Sequence, residues 1–88
     1  MDRECFFYMV RCKDDSIYSG IAVDVEERLK KHNNGTGARY TCGRRPVVLI
    51  YNERFDNPSE AKTREAQVKR WPKVKKEKLI GGSEFLLH

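Results

Sequence analysis

The stretch CFFYMVRCKDDSIYSGIA, residues 5–22, decides the fold because it holds two strand-like segments separated by a short polar turn. Residues 5–12 are rich in aromatic and β-branched side chains, and residues 16–22 have a similar character. The residues between them, 13–15, are Lys-Asp-Asp and make a connection of hairpin length. The sequence therefore predicts an antiparallel β-hairpin near the start of the chain.

The length of this turn determines whether two tyrosines share a face of the hairpin. A three-residue loop pairs Tyr8 with Gly20 and places Tyr18 on the same face, whereas a four-residue loop puts the two rings on opposite faces. We predict the three-residue type, with Asp15 near the left-handed conformation that such loops usually give to glycine. Glycine within a strand often marks a close approach of backbone or ligand. The ordinary alternative is that both tyrosines are core or edge residues.

A helix with clear ends is predicted next. Asp24 is a good N-cap, with Glu27 three residues later as in a capping box, and Asn34-Gly35 supplies a C-terminal stop. A basic, glycine-rich loop is expected over residues 35–46. The apolar run VVLIY, residues 47–51, predicts a third, fairly buried strand.

Two further helices are predicted in the C-terminal half. Pro58-Ser59 opens a helix that runs to about Trp71, where Pro72 interrupts it. A short helix over about 73–80 is expected to end at Gly81-Gly82. The element order is thus β-β-α-β-α-α, an α+β domain over residues 1–82, with residues 83–88 expected to be a frayed tail.

Composition narrows the possible functions. The 88 residues include 18 Lys and Arg against 13 Asp and Glu, so the net charge of +5 indicates a polyanionic partner or, alternatively, simple solubilising charge. Cys5, Cys12 and Cys42 form no CxxC motif, which argues against a zinc site and a disulfide framework and favours a reducing compartment. The sequence shows no membrane span or signal-peptide pattern, so we expect a cytoplasmic protein without membrane association.

Two polar residues of the first helix lie on its apolar side. Arg28 and His32 are four residues apart, on the same side as Val25 and Leu29, so they point towards the body of the domain or its rim. A structural explanation is that the Arg28 stem lies along the core and His32 caps a packing edge. The functional explanation is a site built on this face.

Glu65 is the third polar residue in an unexpected place. It falls between Ala61 and Val68 on the core-facing side of the 59–71 helix. A carboxylate there is unfavourable unless a cation or metal compensates its charge. The structural alternative is an ion pair, with Arg28 as one possible partner, and the functional alternative is a metal ligand.

These residues together resemble the signature of the GIY-YIG nuclease superfamily. Its first motif corresponds to Phe6-Phe7-Tyr8 and its second to Tyr18-Ser19-Gly20. Arg28 and His32 match the R-x-x-x-H spacing on the next helix, and Glu65 matches the family's metal-binding glutamate. The first motif lacks its Gly-Ile, and Ser19 replaces the usual aliphatic residue.

The resemblance covers residues 5–80 and is strongest to small stand-alone bacterial members. Their GAKYT-RGRRP-like loop corresponds to GARYTCGRRPVVLIY, residues 37–51. This resemblance implies a three-stranded antiparallel sheet flanked by helices, and phosphodiester hydrolysis with one divalent cation, Mg²⁺ or Mn²⁺. It implies that Glu65 binds the metal. Arg28 would bind the phosphate, and Tyr8, Tyr18 or His32 would be the general base.

The basic loop and the second half of the chain offer a surface for nucleic acid. Tyr40 is suited to stack on an unpaired base. The other expected nucleic-acid-binding residues are Arg39, Thr41, Arg44, Arg45, Lys69 and Arg70, with Lys73, Lys75 and Lys76 beyond them. Three functions are compatible with these features: an endonuclease acting on DNA or RNA, in DNA repair or recombination; a nucleic-acid-binding module with weak or no catalysis; and an interaction protein for an acidic partner.

Overall fold

The computed structural model describes residues 4–86, with side chains through residue 81. The elements in chain order are β1 (Cys5–Arg11), β2 (Ile17–Ala22), α1 (Val25–Asn33), α2 (Arg39–Cys42), β3 (Val48–Phe55), α3 (Pro58–Lys69) and α4 (Lys73–Leu86). The strands form one antiparallel sheet in the order β2-β1-β3. The α+β class with a three-stranded antiparallel sheet is therefore confirmed. Within residues 4–86, no helix combines the length and apolar character needed to cross a membrane.

The β1–β2 hairpin has the predicted three-residue turn. Tyr8 lies opposite Gly20, and Val10 lies opposite Tyr18, so both tyrosines are on one face. Asp15 has a φ of 71°, in the left-handed region that such turns require. The register that joins the two tyrosines is confirmed.

Helix α1 also begins and ends as its sequence predicts. The Asp24 carboxylate accepts a hydrogen bond from the Glu27 backbone N–H at 3.0 Å. Asn34 caps the C-terminus, and Gly35 follows with a φ of 88°. These capping bonds satisfy backbone groups that a helix end leaves unpaired.

Two predictions about the middle of the chain were wrong. The stretch 35–46 is not all loop, because residues 39–42 form the short helix α2. Strand β3 extends to Phe55 rather than ending at Tyr51. The extra residues pair with β1, with Asn52 opposite Tyr8. Pairing with a central strand therefore prolongs β3 beyond its apolar run.

The predicted end of the last helix at Gly81-Gly82 was also wrong. Helix α4 continues to Leu86, and residues 87–88 lie outside the described part of the chain. A glycine within a helix is unfavourable by about 1 kcal/mol relative to alanine, which a helix tolerates.

Strand β1 is central and is buried on both faces of the sheet. On one face Tyr8 and Val10 pack against α1 through Val25 and Leu29. On the other face Phe7 and Met9 pack with Val68 of α3, and with partly buried side chains of the following segment: Trp71, Leu79 and Ile80. Burial on both sides explains why CFFYMV is almost continuously apolar. The candidate site lies on the α1 face, at the β2 edge.

Candidate active site

The Tyr8 hydroxyl reaches across β2 because Gly20 has no side chain. Tyr8 is only 2% exposed. A Cβ added to Gly20 would lie 2.7 Å from the Tyr8 hydroxyl oxygen, closer than such atoms approach. Gly20 is therefore needed for the observed ring position, which agrees with the close approach expected at this glycine.

His32 lies directly behind this hydroxyl. Its Nε2 is 2.7 Å from the Tyr8 oxygen, and its ring is fully buried against the edges of the Tyr8 and Tyr18 rings. Burial, helped by the positive charge of Arg28, lowers the pKa of His32. The imidazole is therefore neutral at pH 7, and one of its two ring nitrogens can accept a proton.

Arg28 presents an unsatisfied donor on the same helix face. Its Nε–H is buried and has no hydrogen-bond partner among the described residues. A buried donor of this kind is unfavourable without a partner, and a guanidinium is well suited to a phosphate oxygen. The inward position that helix periodicity predicts for Arg28 and His32 is confirmed.

Glu65 approaches the site from α3. Burial raises the pKa of Tyr8, and the nearby Arg28 opposes this rise, whereas Tyr18 and Glu65 add to it. The Tyr8 hydroxyl thus lies within electrostatic range of all three side chains. The carboxylate of Glu65 is 22% exposed and forms an ion pair with Lys69 at 3.3 Å. Among the described residues its ion pair is therefore with Lys69 and not with Arg28.

The single carboxylate limits which cation the site would hold. Among the described side chains, those of residues 4–81, no three His, Cys, Asp or Glu residues form a metal-binding cluster. Mg²⁺ does not need such a cluster, because it keeps several waters and is often bound by one or two carboxylates plus substrate phosphates. Glu65 and the Arg28 Nε–H, whose side chains both act electrostatically on Tyr8, fit this kind of cation–phosphate site.

The basic loop is partly engaged within the protein. The Tyr40 ring stacks on Tyr18, with centroids 5.7 Å apart, and the Arg44 guanidinium lies 4.0 Å from the Tyr40 centroid. Arg44 also pairs with Asp14 at 3.0 Å. Stacking of Tyr40 on an unpaired base would therefore require one of these neighbours to move. The loop forms a wall beside Tyr18.

Thr41 does not have the exposed position that a nucleic-acid contact needs. It is fully buried, and its hydroxyl is 2.7 Å from His32 Nδ1. The expectation that the Thr41 side chain contacts nucleic acid is wrong, because the protein itself covers this side chain.

The remaining expected nucleic-acid-binding side chains lie on the surface. Arg45 is tied to the loop by a hydrogen bond from its Nε to the Cys42 carbonyl, and the Lys69 ammonium lies 6.0 Å from the Tyr18 ring centroid. Arg39, Arg45, Lys69 and Arg70 are exposed. They remain available to phosphates.

Sequence reasoning missed the residues that hold this loop in place. The Asn33 side chain bonds both backbone groups of Val47, accepting from its N–H at 2.7 Å and donating to its carbonyl at 3.0 Å. Gly37 packs against His32, where an added Cβ would lie 2.8 Å from the His32 Cα. The glycine-rich composition of the 35–46 loop indicates close packing, but nothing in the sequence shows that Gly37 packs against His32.

Comparison with known proteins identifies relatives along nearly the whole chain. A family model described as the GIY-YIG catalytic domain matches residues 4–78. A UPF0213 protein of Staphylococcus saprophyticus is 54% identical over 80 residues, which are 91% of this chain and 96% of the relative. A UPF0213 protein of Staphylococcus aureus is 49% identical, over 85% of this chain and 92% of the relative.

Two solved structures have the same fold. The solution structure of a UPF0213 protein from Bacillus halodurans aligns with a TM-score of 0.58 at 41% identity, covering 89% of this chain and 83% of that one. The solution structure of an E. faecalis protein aligns with a TM-score of 0.63 at 39% identity, covering 100% and 94%. The chain therefore belongs to the GIY-YIG family of nuclease-type domains and is homologous to the bacterial UPF0213 proteins.

Proposed function

We propose that this protein is a metal-dependent endonuclease that hydrolyses phosphodiester bonds in DNA or RNA. The proposal rests on the side chains that surround the hydroxyl oxygen of Tyr8. The Tyr8 hydroxyl forms a hydrogen bond with His32 and lies within electrostatic range of Arg28, Tyr18 and Glu65. A structural core does not need a proton acceptor, a phosphate-binding cation and a hard oxygen ligand around one phenol.

Tyr8 and His32 are suited to act as a proton-transfer pair. Burial raises the pKa of Tyr8, so the phenol is protonated at pH 7 and is a weak base alone. His32 Nε2 at 2.7 Å offers an acceptor for its proton. The Tyr8 oxygen then takes a proton from the attacking water while its own proton moves to His32. Tyr18 shares the same face and is the alternative base.

Arg28 and Glu65 would handle the negative charge of the phosphate. The Arg28 Nε–H, without a partner in the described structure, would donate to a phosphate oxygen and orient the scissile group. Glu65 would hold one Mg²⁺ or Mn²⁺, giving up its ion pair with Lys69. A bound divalent cation supplies Lewis-acid polarisation of the phosphate and stabilises the leaving oxygen.

For the cellular setting, we propose DNA repair or recombination in the cytoplasm. The three free cysteines are compatible with a reducing compartment.

A second candidate is a nucleic-acid-binding module that cuts weakly or not at all. The Glu65–Lys69 ion pair favours it, because the proposed metal ligand is already engaged by a cation. In that case the exposed arginines bind phosphates, and the buried polar residues hold the loop against the sheet.

Cleavage of a panel of substrates separates these two functions. Linear, nicked, branched and single-stranded DNA and RNA are incubated with Mg²⁺ or Mn²⁺ and wild-type protein. The endonuclease proposal expects cleavage of at least one substrate. Glu65→Gln should abolish the metal-dependent rate, and Arg28→Ala should lower the rate at least about a hundredfold.

Glu26→Gln is the matched control, because Glu26 is an exposed glutamate of α1. It should leave the cleavage rate unchanged. Binding of the panel by wild type without cutting would contradict the endonuclease proposal and support the binding module.

A further inference from the structure

A short segment of the basic loop packs against the Nδ1 side of the His32 imidazole, away from Tyr8. The segment comprises residues 37–41, and three of its members touch the imidazole or each other. Gly37 lies so close that an added Cβ would be 2.6 Å from His32 Nδ1. The Thr41 hydroxyl is 2.7 Å from the same nitrogen and donates to the Ala38 carbonyl at 2.9 Å. Both His32 and Thr41 are fully buried, so the hydrogen bond between them is shielded from water.

These contacts form a chain from Tyr8 to the Ala38 carbonyl. The chain has three links: the Tyr8 oxygen to Nε2, Nδ1 to the Thr41 oxygen, and the Thr41 oxygen to the carbonyl, at 2.7, 2.7 and 2.9 Å. A backbone carbonyl can only accept a hydrogen bond, so the Thr41 hydroxyl donates its single proton to the Ala38 carbonyl. The Thr41 oxygen must then accept from Nδ1–H, and in a neutral imidazole Nε2 is therefore unprotonated and accepts from Tyr8. One proton lies in each link.

The opposite tautomer satisfies the same number of contacts, but one of them is weaker. With Nε2 protonated, Nδ1 would accept from Thr41 and from the Ala38 backbone N–H, which lies 3.4 Å away. The Thr41 and Ala38 oxygens would then face each other at 2.9 Å with no proton between them. The Nδ1–H tautomer gives up only the weak bond from the Ala38 N–H at 3.4 Å, whereas the Nε2–H tautomer leaves an unprotonated oxygen pair at 2.9 Å, which is repulsive. The Nδ1–H tautomer is therefore favoured.

We propose that Thr41 is a positioning residue that holds neutral His32 in the Nδ1–H tautomer, with Nε2 unprotonated and directed at Tyr8. For a neutral imidazole, the tautomer follows from the contacts. Its catalytic consequence rests on the proposed nuclease function, because only an unprotonated Nε2 can take the Tyr8 proton. Thr41 acts through His32 and does not touch the substrate.

Nitrogen-15 NMR of the imidazole tests the tautomer without any substrate. Long-range proton–nitrogen spectra distinguish a protonated ring nitrogen from an unprotonated one, and a His32→Gln variant identifies the His32 signals. Wild type should show Nδ1 protonated and Nε2 unprotonated. Thr41→Val keeps the shape and removes the hydroxyl, so the remaining Ala38 N–H should shift His32 towards the Nε2–H tautomer. Thr41→Ser keeps the hydroxyl and should restore the wild-type pattern.

Thr36→Val is the matched control, because it removes an exposed hydroxyl of the same loop that bonds Asn34 and not His32. It should leave the imidazole nitrogens unchanged. A wild-type His32 protonated on Nε2, or a tautomer unaffected by Thr41→Val, would overturn the proposal. If Thr41→Val does not fold, the wild-type and Thr41→Ser spectra still decide which nitrogen carries the proton.

Cleavage kinetics test the consequence separately. Thr41→Val should lower the rate of the bond-breaking step by about tenfold to a hundredfold with little change in substrate affinity, and Thr41→Ser should recover most of it. A tautomer shift with an unchanged cleavage rate would overturn the catalytic part of the inference. Absence of cleavage in wild type would instead contradict the nuclease function and leave the tautomer result standing.

Discussion

Gly20 determines where the Tyr8 hydroxyl can lie. Gly20→Ala places a methyl group 2.7 Å from that oxygen, so the Tyr8 ring must shift from the position in which it bonds His32. We expect stability to fall by about 1–3 kcal/mol, as for other overpacked sites, and cleavage to fall at least about tenfold. Denaturant unfolding and single-turnover cleavage measure the two effects.

Gly43→Ala is the control for this substitution. An added Cβ at Gly43 has no heavy atom within 4 Å, and its φ of −91° suits alanine. It should change stability by less than about 0.5 kcal/mol and leave cleavage unchanged. Equal effects of the two alanine substitutions would contradict the importance of the Tyr8–Gly20 contact.

Side-chain positions were predictable where local periodicity determines them. Four-residue spacing on α1 placed Arg28 and His32 towards the sheet, and the turn length placed Tyr8 and Tyr18 on one face. Thr41 was assigned to a binding surface, yet it is buried. A loop residue has no periodicity to reveal its environment, so only the tertiary structure shows its bond to His32.

At the scale of elements, the β1–β2 turn depends on a strained aspartate. Asp15 adopts a φ of 71° and forms ion pairs with Arg11 and Lys73. Asp15→Gly removes the backbone strain along with these exposed pairs, which contribute little. Asp15→Ala loses the pairs and keeps the strain, so the alanine variant should be less stable than the glycine variant by about 1 kcal/mol. Denaturant unfolding of both variants gives the comparison, and an alanine variant as stable as the glycine variant would contradict it.

Element ends were predictable only where a local stop signal acts alone. The Asp24 cap and the Asn34-Gly35 stop set the bounds of α1. Gly81-Gly82 resembles such a stop, but α4 runs through it. Strand β3 extends because it pairs with β1, and this interaction between distant residues is not encoded in residues 48–55 alone.

The whole molecule combines a net charge of +5 with exposed arginines. Binding of duplex DNA should weaken as salt rises, since each neutralised phosphate releases counter-ions. Arg39→Ala and Arg70→Ala should each reduce the slope of log affinity against log salt by about 1, whereas Lys30→Ala, on the outer face of α1, should not. Titrations at several salt concentrations measure these slopes. Equal slopes in all variants would contradict a role for these arginines in phosphate binding.

The global arrangement could be predicted in outline but not in its long-range contacts. Strand and helix order followed from local patterns and from the family resemblance. The approach of Glu65 on α3 to Tyr8 on β1 depends on how α3 packs across the sheet. Local sequence placed Glu65 on the inner helix face, and only the resemblance connected it with Tyr8.

The central claim is that the Tyr8 oxygen takes part in phosphodiester cleavage, and Tyr8→Phe tests it most directly. This change removes one oxygen and keeps the ring, while Tyr51→Phe removes a hydroxyl that donates to Glu53 on the opposite face. Single-turnover cleavage is measured with saturating protein and Mg²⁺ or Mn²⁺, together with nucleic-acid affinity. The predicted result is a rate at least about a hundredfold lower for Tyr8→Phe, with unchanged affinity and a near-normal rate for Tyr51→Phe. A Tyr8→Phe variant that cuts as fast as wild type would contradict the claim.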